Sequence, residues 1–292
     1  MTDKTKAYLL VLIGAVIGGL ISTVTKIGLA EVDPFTFTFV RFSIASCIIL
    51  PFFLKRKIHI NSSLWSLVAI SFLPIINIAL FVWGVKLTTA SIGAIVYAGT
   101  PILTGIFSYI LLGDRMTLKK WFFLMIGLFG VLYIVLLPLF ERGVYYAGDI
   151  RGNIFLLLGM TFWSLYLVIS KKYQKKYSVF TIIAVFIFLS TFVFFIGALS
   201  ESFNISILVK NISLNSWLAI LYTATLGTIG GYLINQYKIK LAGPLVAALT
   251  FYLLPIIGYL AAFILLGEQL TPGLFLGTLF VLLSITLTTF SK

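Results

Sequence analysis

The chain is a succession of apolar runs, each about 20 residues long, and this leaves few folds open. A run of that length crosses the hydrocarbon core of a bilayer as a helix, at about 1.5 Å of rise per residue. Ten such runs follow one another: 8–29, 35–54, 64–85, 90–112 and 120–140, then 152–171, 179–199, 216–237, 244–266 and 272–290. They lack the strict alternation of lipid-facing and lumen-facing side chains that a transmembrane strand needs, which argues against a β-barrel. With 61% hydrophobic and 10% charged residues, the chain has more apolar surface than a soluble core of 292 residues could hide. The expectation is an all-α integral membrane protein of ten transmembrane helices. The first run is too long for a signal-peptide h-region and carries Lys26 where a cleavage site needs small residues, so it counts as a helix. The segment 201–215 reads as a loop or interfacial stretch.

The ten runs fall into two related sets. Shifting the sequence by 154 residues places Pro101 on Pro255, Lys86 on Lys240, Ala94 on Ala248, Ile110 on Ile264 and Thr117 on Thr271. The corner Leu112-Gly113-Asp114 falls on Leu266-Gly267-Glu268. Such a match reads as an internal duplication. The halves are then 1–140 and 152–292, joined by an external linker at 141–151. Five runs per half is an odd number, so the second half enters the membrane inverted. Inverted repeats recur among secondary transporters, because two pseudo-symmetric halves can rock about a central site.

Charge gives the orientation. With a cytoplasmic N-terminus, the inside segments hold Lys4, Lys6, Lys55, Arg56, Lys57, Arg115, Lys119 and Lys120. They also hold Lys171, Lys172, Lys175, Lys176, Lys238, Lys240 and Lys292, while the outside segments hold only Lys86, Arg142, Arg151 and Lys210. This bias predicts both termini in the cytoplasm and a multi-pass protein of the cytoplasmic membrane. The net charge of +13 therefore calls for membrane lipid and no nucleic-acid partner.

The passage 111–134, with its Leu-Leu-Gly-Asp corner, Thr117, Gly127 and Gly130, resembles the EamA-like domain of the drug/metabolite transporter superfamily. The second copy, 243–285, resembles it too, as do Gly14 to Lys26 and the entry Pro34 to Arg41. The sequence departs from the pattern where Gln269 stands in for the basic Arg115 and where Gly277 and Ser284 replace the paired glycines. The resemblance implies a ten-helix exporter or exchanger of small metabolites, with helices one to four and six to nine around a central cavity and helices five and ten outside it.

Polar side chains at mid-membrane depth are costly unless they face protein or a wet cavity, so they mark candidate solute contacts. In the fourth run Tyr97, Thr100, Thr104 and Ser108 share a helix face. In the eighth, Thr225, Thr228, Tyr232 and Asn235 do the same. Asn77 in the third run, Trp163, Tyr166 and Ser170 in the sixth, and Tyr252 and Tyr259 in the ninth complete the set. Each could instead bond a neighbouring helix or its own backbone. Pro101 and Pro255, equivalent in the two halves, each remove an intrahelical bond and read either as hinges beside a site or as structural kinks. Lys26 and Arg41 are the two charges placed within runs. Lys26 lies near a helix end, while Arg41 lies about 9 Å inside and either attracts a carboxylate or phosphate of the solute or caps backbone carbonyls. The stripe Gly14, Gly18 and Ser22 reads as close helix packing, and Asp114 and Glu268 read as caps near Thr117 and Thr271.

All eight acids lie in loops or at helix ends, and the single histidine, His59, lies in a loop, so no mid-membrane carboxylate or histidine offers a proton relay. Uniport or exchange is therefore expected rather than tight proton coupling. The same absence argues against an enzyme, and no metal site or cofactor is expected. Cys47 stands alone, which excludes an intrachain disulfide. The sequons at Asn61, Asn204 and Asn211 are matches of the kind chance supplies. The expected function is secondary transport of small organic metabolites such as amino acids by alternating access, in a monomer or homodimer. A channel or lipid scramblase is the alternative that shares this composition.

Overall fold

The computed structural model describes residues 3–55, 62–114, 117–141, 148–201, 203 and 212–290. The readings made on Arg56, Lys57, His59, Asn61, Arg115, Arg142, Asn204, Lys210, Asn211 and Lys292 lie outside the described residues, as does the side chain of Lys4. Among the described residues every regular element is helical and no strand occurs. The first half runs α1 (Asp3–Gly28), α2 (Pro34–Leu54), α3 (Ser62–Leu87), α4 (Ala90–Tyr97), α5 (Thr100–Leu112) and α6 (Leu118–Leu136). The second runs α7 (Ile150–Tyr173), α8 (Val179–Ser200), α9 (Leu214–Tyr222), α10 (Gly231–Ala248), α11 (Leu254–Leu266) and α12 (Pro272–Phe290).

Eight of these helical stretches are long and apolar enough to cross a membrane. One of them, Leu214–Leu266, has 53 residues, room for two crossings, and Gly243 interrupts it with φ 87° and ψ 171°. A β-carbon is strained in that backbone, so glycine is the residue that permits the break. Phe122, Phe192 and Ile264 point outward and are exposed, as lipid-facing side chains must be.

The helices of one half pack mainly on those of the other. α3 lies along α7, α2 along α8, α6 along α12, and α1 against α10 and α11. Small residues allow the closest crossings: a β-carbon on Gly130 would meet the Phe280 β-carbon at 2.8 Å and the Gly277 carbonyl at 3.1 Å. Ser284 then donates to the Phe123 carbonyl at 2.5 Å, so Gly277 and Ser284, which stand in for the paired glycines, both sit in the α6–α12 contact.

The two repeat-related prolines sit at equivalent breaks. The fourth run divides at Ala98–Gly99, with Pro101 in the first turn of α5. In the second half the 3-10 turn Leu249–Tyr252 precedes α11, with Pro255 in its first turn. A first-turn proline forfeits no helical hydrogen bond, which corrects the expectation that each proline cuts one. The Tyr97 carbonyl at the first break is not left free either, because the Thr100 hydroxyl donates to it at 2.6 Å.

One end of the bundle is held by carboxylates that cross between the halves. Glu201 accepts from the backbone N–H of Phe35 at 3.0 Å and Thr36 at 2.8 Å, at the start of α2. Glu31 accepts from Ser213 N–H and the Ser216 hydroxyl, at the start of α9. Glu268 accepts from the N–H groups of Ala90 and Ser91, at 2.7 and 2.8 Å, and so caps α4 rather than the helix that follows Thr271. That helix, α12, is capped by Glu141 through Gly273 N–H and the Thr271 hydroxyl. At α6 the capping atom is Thr117 Oγ1, which accepts from Lys120 N–H at 3.3 Å. A carboxylate at a helix N-terminus satisfies orphan N–H groups and complements the helix dipole. At the same end Lys26 donates to the carbonyls of Val85, Lys86 and Thr88 at 2.6–3.1 Å, so it caps the C-terminus of α3 rather than reaching toward lipid headgroups.

Candidate functional site

A cavity of about 120 Å³ opens where the halves meet. α1 supplies one wall through Gly14, Ile17, Gly18, Ile21 and Ser22. Arg41 enters from α2, Asn77 and Phe81 from α3, Tyr97 from α4, Trp163 from α7, Tyr232 and Asn235 from α10, and Thr250 and Phe251 from the turn before α11. Among the described residues none of the lining comes from α6 or α12, the arrangement that the resemblance implied for the outer helices.

The walls are aromatic and braced. Trp163 meets Tyr232 edge-on at 5.3 Å and Phe251 at 6.1 Å, and Tyr97 lies 5.4 Å from Phe81. Asn77 Nδ2 donates both to the Tyr97 hydroxyl, at 2.5 Å, and to the Gly159 carbonyl, at 2.9 Å. Asn77 thereby pins α3, α4 and α7 at one point. Only glycine fits beside it, since a β-carbon at position 159 would stand 2.7 Å from the Tyr97 hydroxyl oxygen.

Arg41 is 4% exposed, and its Nε donates to Thr228 Oγ1 at 2.7 Å. Thr228 belongs to the π-helical stretch Thr223–Gly230, where its hydroxyl in turn donates to the Thr223 carbonyl at 2.9 Å. A wide π turn inside a helix commonly marks a functional site. Here it brings Gly227 beside the guanidinium: a β-carbon on Gly227 would lie 3.8 Å from the terminal nitrogen Nη2. Among the described residues no carboxylate stands within 4.0 Å of Arg41. Two further polar atoms of the wall, Trp163 Nε1 and Asn235 Oδ1, are buried without a hydrogen-bond partner.

Of the candidate residues, the cavity therefore gathers Arg41, Asn77, Tyr97, Trp163 and Asn235, with Pro101 and Pro255 at the breaks nearby. The other five candidates have structural partners and do not line it. Thr100 bonds the Tyr97 carbonyl, and Thr225 bonds the Leu221 carbonyl at 2.7 Å. Tyr166 backs Trp163 at 5.5 Å and accepts from Gln236 Nε2 at 2.9 Å. The Tyr252 hydroxyl donates to the Leu282 carbonyl at 2.9 Å and bonds Thr286, which ties it to α12, and Tyr259 stacks near Phe263. Conversely Gly14, Gly18 and Ser22, expected only to pack, form cavity wall. The remaining surprise is Lys238. Expected in a loop, it is wholly buried in α10, and its ammonium donates to the Thr250 hydroxyl.

A helical membrane protein whose two related halves enclose a largely apolar, aromatic cavity set with a few polar groups is built as a transporter. The chain belongs to the EamA-like transporter family, which matches residues 5–136 and again 150–290. It is 25% identical over 267 residues to an uncharacterized transporter of Clostridium kluyveri, covering 86% of this chain and 82% of that one. It is 26% identical to an uncharacterized transporter of Archaeoglobus fulgidus, covering 90% of each. A crystal structure of a protein with 18% identity superposes with a TM-score of 0.67 over 98% of this chain and 96% of that one, which speaks for the fold.

Proposed function

We propose that this transporter carries small organic metabolites bearing an acid group, amino acids among them, by alternating access across the cytoplasmic membrane. Ten crossings in two inverted five-helix halves, with both termini in the cytoplasm, fit the repeat and the distribution of basic residues. The observation that carries the reading is Arg41, a buried guanidinium at the wall of the cavity without a carboxylate partner among the described residues. An arginine stays charged, and a buried charge without a partner is costly, so the site favours a solute that brings the anion. Trp163 Nε1–H adds a free donor, and Asn235 Oδ1 a free acceptor suited to an ammonium or hydroxyl group. The rings of Tyr97, Trp163 and Phe251 hold the apolar part of the solute.

In this orientation the four carboxylate clasps lie on the external side, and we read them as holding the halves closed there. Opening outward requires releasing them, while the breaks before Pro101 and Pro255 absorb the bend. The reading is tested by counterflow in proteoliposomes loaded with a defined metabolite mixture, with the same mixture isotopically labelled outside and the entering species identified by mass spectrometry. Selective entry of a few acids supports it. A single-channel conductance, or lipid movement without solute entry, overturns it.

A further inference from the structure

Positive charge gathers at the corner between α7 and α8. The sequence there is Lys171-Lys172-Tyr173-Gln174-Lys175-Lys176-Tyr177, and all four lysines are exposed. Lys171 and Lys172 lie in the last turn of α7, where a cation complements the helix dipole. Lys175 and Lys176 lie beyond the helix, so the dipole does not explain them. Among the described residues no carboxylate stands within 4.0 Å of any of the four.

α10 brings a fifth lysine to the same end. A β-carbon on Gly243 would stand 3.5 Å from Lys171 Nζ, and Lys240, also exposed, lies one turn before Gly243. Gln174 clips the two elements together: its Nε2 donates to the Gln236 carbonyl at 2.8 Å and to Gln236 Oε1 at 2.6 Å. The lysines are thus presented by packed helices rather than by a loose loop. Glu201 closes the other end of the 22-residue α8, about 33 Å away along the axis, so the corner and that clasp lie on opposite sides of a bilayer core. Apolar surface adjoins the corner, since Tyr237 and Leu245, before and after Lys240, are both 47% exposed.

The geometry points to a docking surface for an anionic phospholipid, whose headgroup sits on Lys171, Lys172, Lys175, Lys176 and Lys240. Charge complementarity selects this occupant. Exposed cations without carboxylate partners, at headgroup depth and beside exposed apolar side chains, meet the phosphodiester that a membrane holds there at high concentration. A positive-inside orientation needs cations only somewhere in the loop; it does not need them gathered against a second helix. The lipid site does not depend on the nature of the solute.

The test is lipid retention by the purified protein in neutral detergent, read by native mass spectrometry after incubation with equal amounts of phosphatidylglycerol and phosphatidylcholine of the same chain length. The wild type should retain phosphatidylglycerol over phosphatidylcholine by about tenfold or more. Lys171→Gln, Lys172→Gln, Lys175→Gln and Lys176→Gln together should abolish that preference. Lys119→Gln with Lys120→Gln, which removes two cations at the start of α6, should keep it. Should the fourfold variant fail to fold, Lys175→Gln with Lys176→Gln, outside the helix, should still lower the preference by about threefold or more. Equal retention of the two lipids by the wild type, an unchanged preference without the corner lysines, or an equal loss in the α6 variant overturns the proposal. Displacement of the lipid by inorganic phosphate at the same concentration overturns it too, and gives the corner to a soluble anion.

Discussion

Glu31 and Glu201 exchange places across the two halves. Glu31, after α1, binds the start of α9, and Glu201, before α9, binds the start of α2. Each loop therefore caps the helix that the other loop leads into. Glu268 and Glu141 also cap helices other than the ones they precede, α4 and α12, without such an exchange, and the start of α7 has its own carboxylate in Asp149, which accepts from Arg151 N–H at 2.8 Å.

This clasp has a defined pH dependence at Glu31. The Ser213 N–H and the Ser216 hydroxyl hold its carboxyl below its ordinary value of 4.5. A depressed carboxylate contributes stability that is fully present above the ordinary value and is lost as pH falls through the depressed one. Amide protection at the start of α9, corrected for intrinsic exchange, should therefore fall on acidification below about pH 4. Glu31→Gln should show the same loss at neutral pH, and unchanged protection in that variant would contradict the account.

Glu201→Ala removes the acceptor for two orphan N–H groups at the start of α2. The expected cost is about 1 kcal/mol, a cap's usual contribution. A thermal midpoint lowered by about 2 °C in detergent would register it. No change would mean that water replaces the carboxylate without loss.

Gly159→Ala places a methyl group against the Tyr97 hydroxyl and the Asn77 carbonyl, 2.7 and 3.2 Å from where its β-carbon must lie. Overpacking of this kind costs about 1–3 kcal/mol. Because it displaces Tyr97 from Asn77, solute affinity should fall along with the thermal midpoint. Full affinity in the folded variant would show that Tyr97 is not held in place for binding.

Gly18 offers a probe of access, since a side chain there would meet only Leu254, at 3.7 Å from the β-carbon. In a Cys47→Ser background, Gly18→Cys should react with impermeant thiol reagents added from either side, and bound solute should protect it. Reaction from one side alone under every condition would contradict alternating access.

The sequence shows the halves, the paired prolines and half of the candidate contacts, because repetition and depth in the membrane are both written along the chain. It does not show which polar groups find partners at home. Thr100 and Tyr97 lie on one face by spacing, yet Thr100 turns back to the Tyr97 carbonyl at the helix break. Tyr252 is taken by α12, a contact between residues 30 apart that periodicity cannot report. Just before α10 the cause is local. The π turn over Thr223–Gly230 shifts the register, so Thr225 leaves the face that Tyr232 and Asn235 share. Lys238 was hidden by its position near a helix end, where a lysine ordinarily reaches water.

The most direct measurement is counterflow of the solute that the protein selects, compared among wild type, Arg41→Lys and Arg41→Gln, each shown to fold by its thermal midpoint. If Arg41 holds the acid group, Arg41→Gln loses a charged hydrogen bond of about 1.5–3 kcal/mol, which is about 10-fold to 150-fold in affinity. Arg41→Lys, keeping the charge without the fork, should retain part of it. Wild-type affinity in folded Arg41→Gln would contradict the account, and would leave Arg41 as a structural brace for the π turn at Thr228.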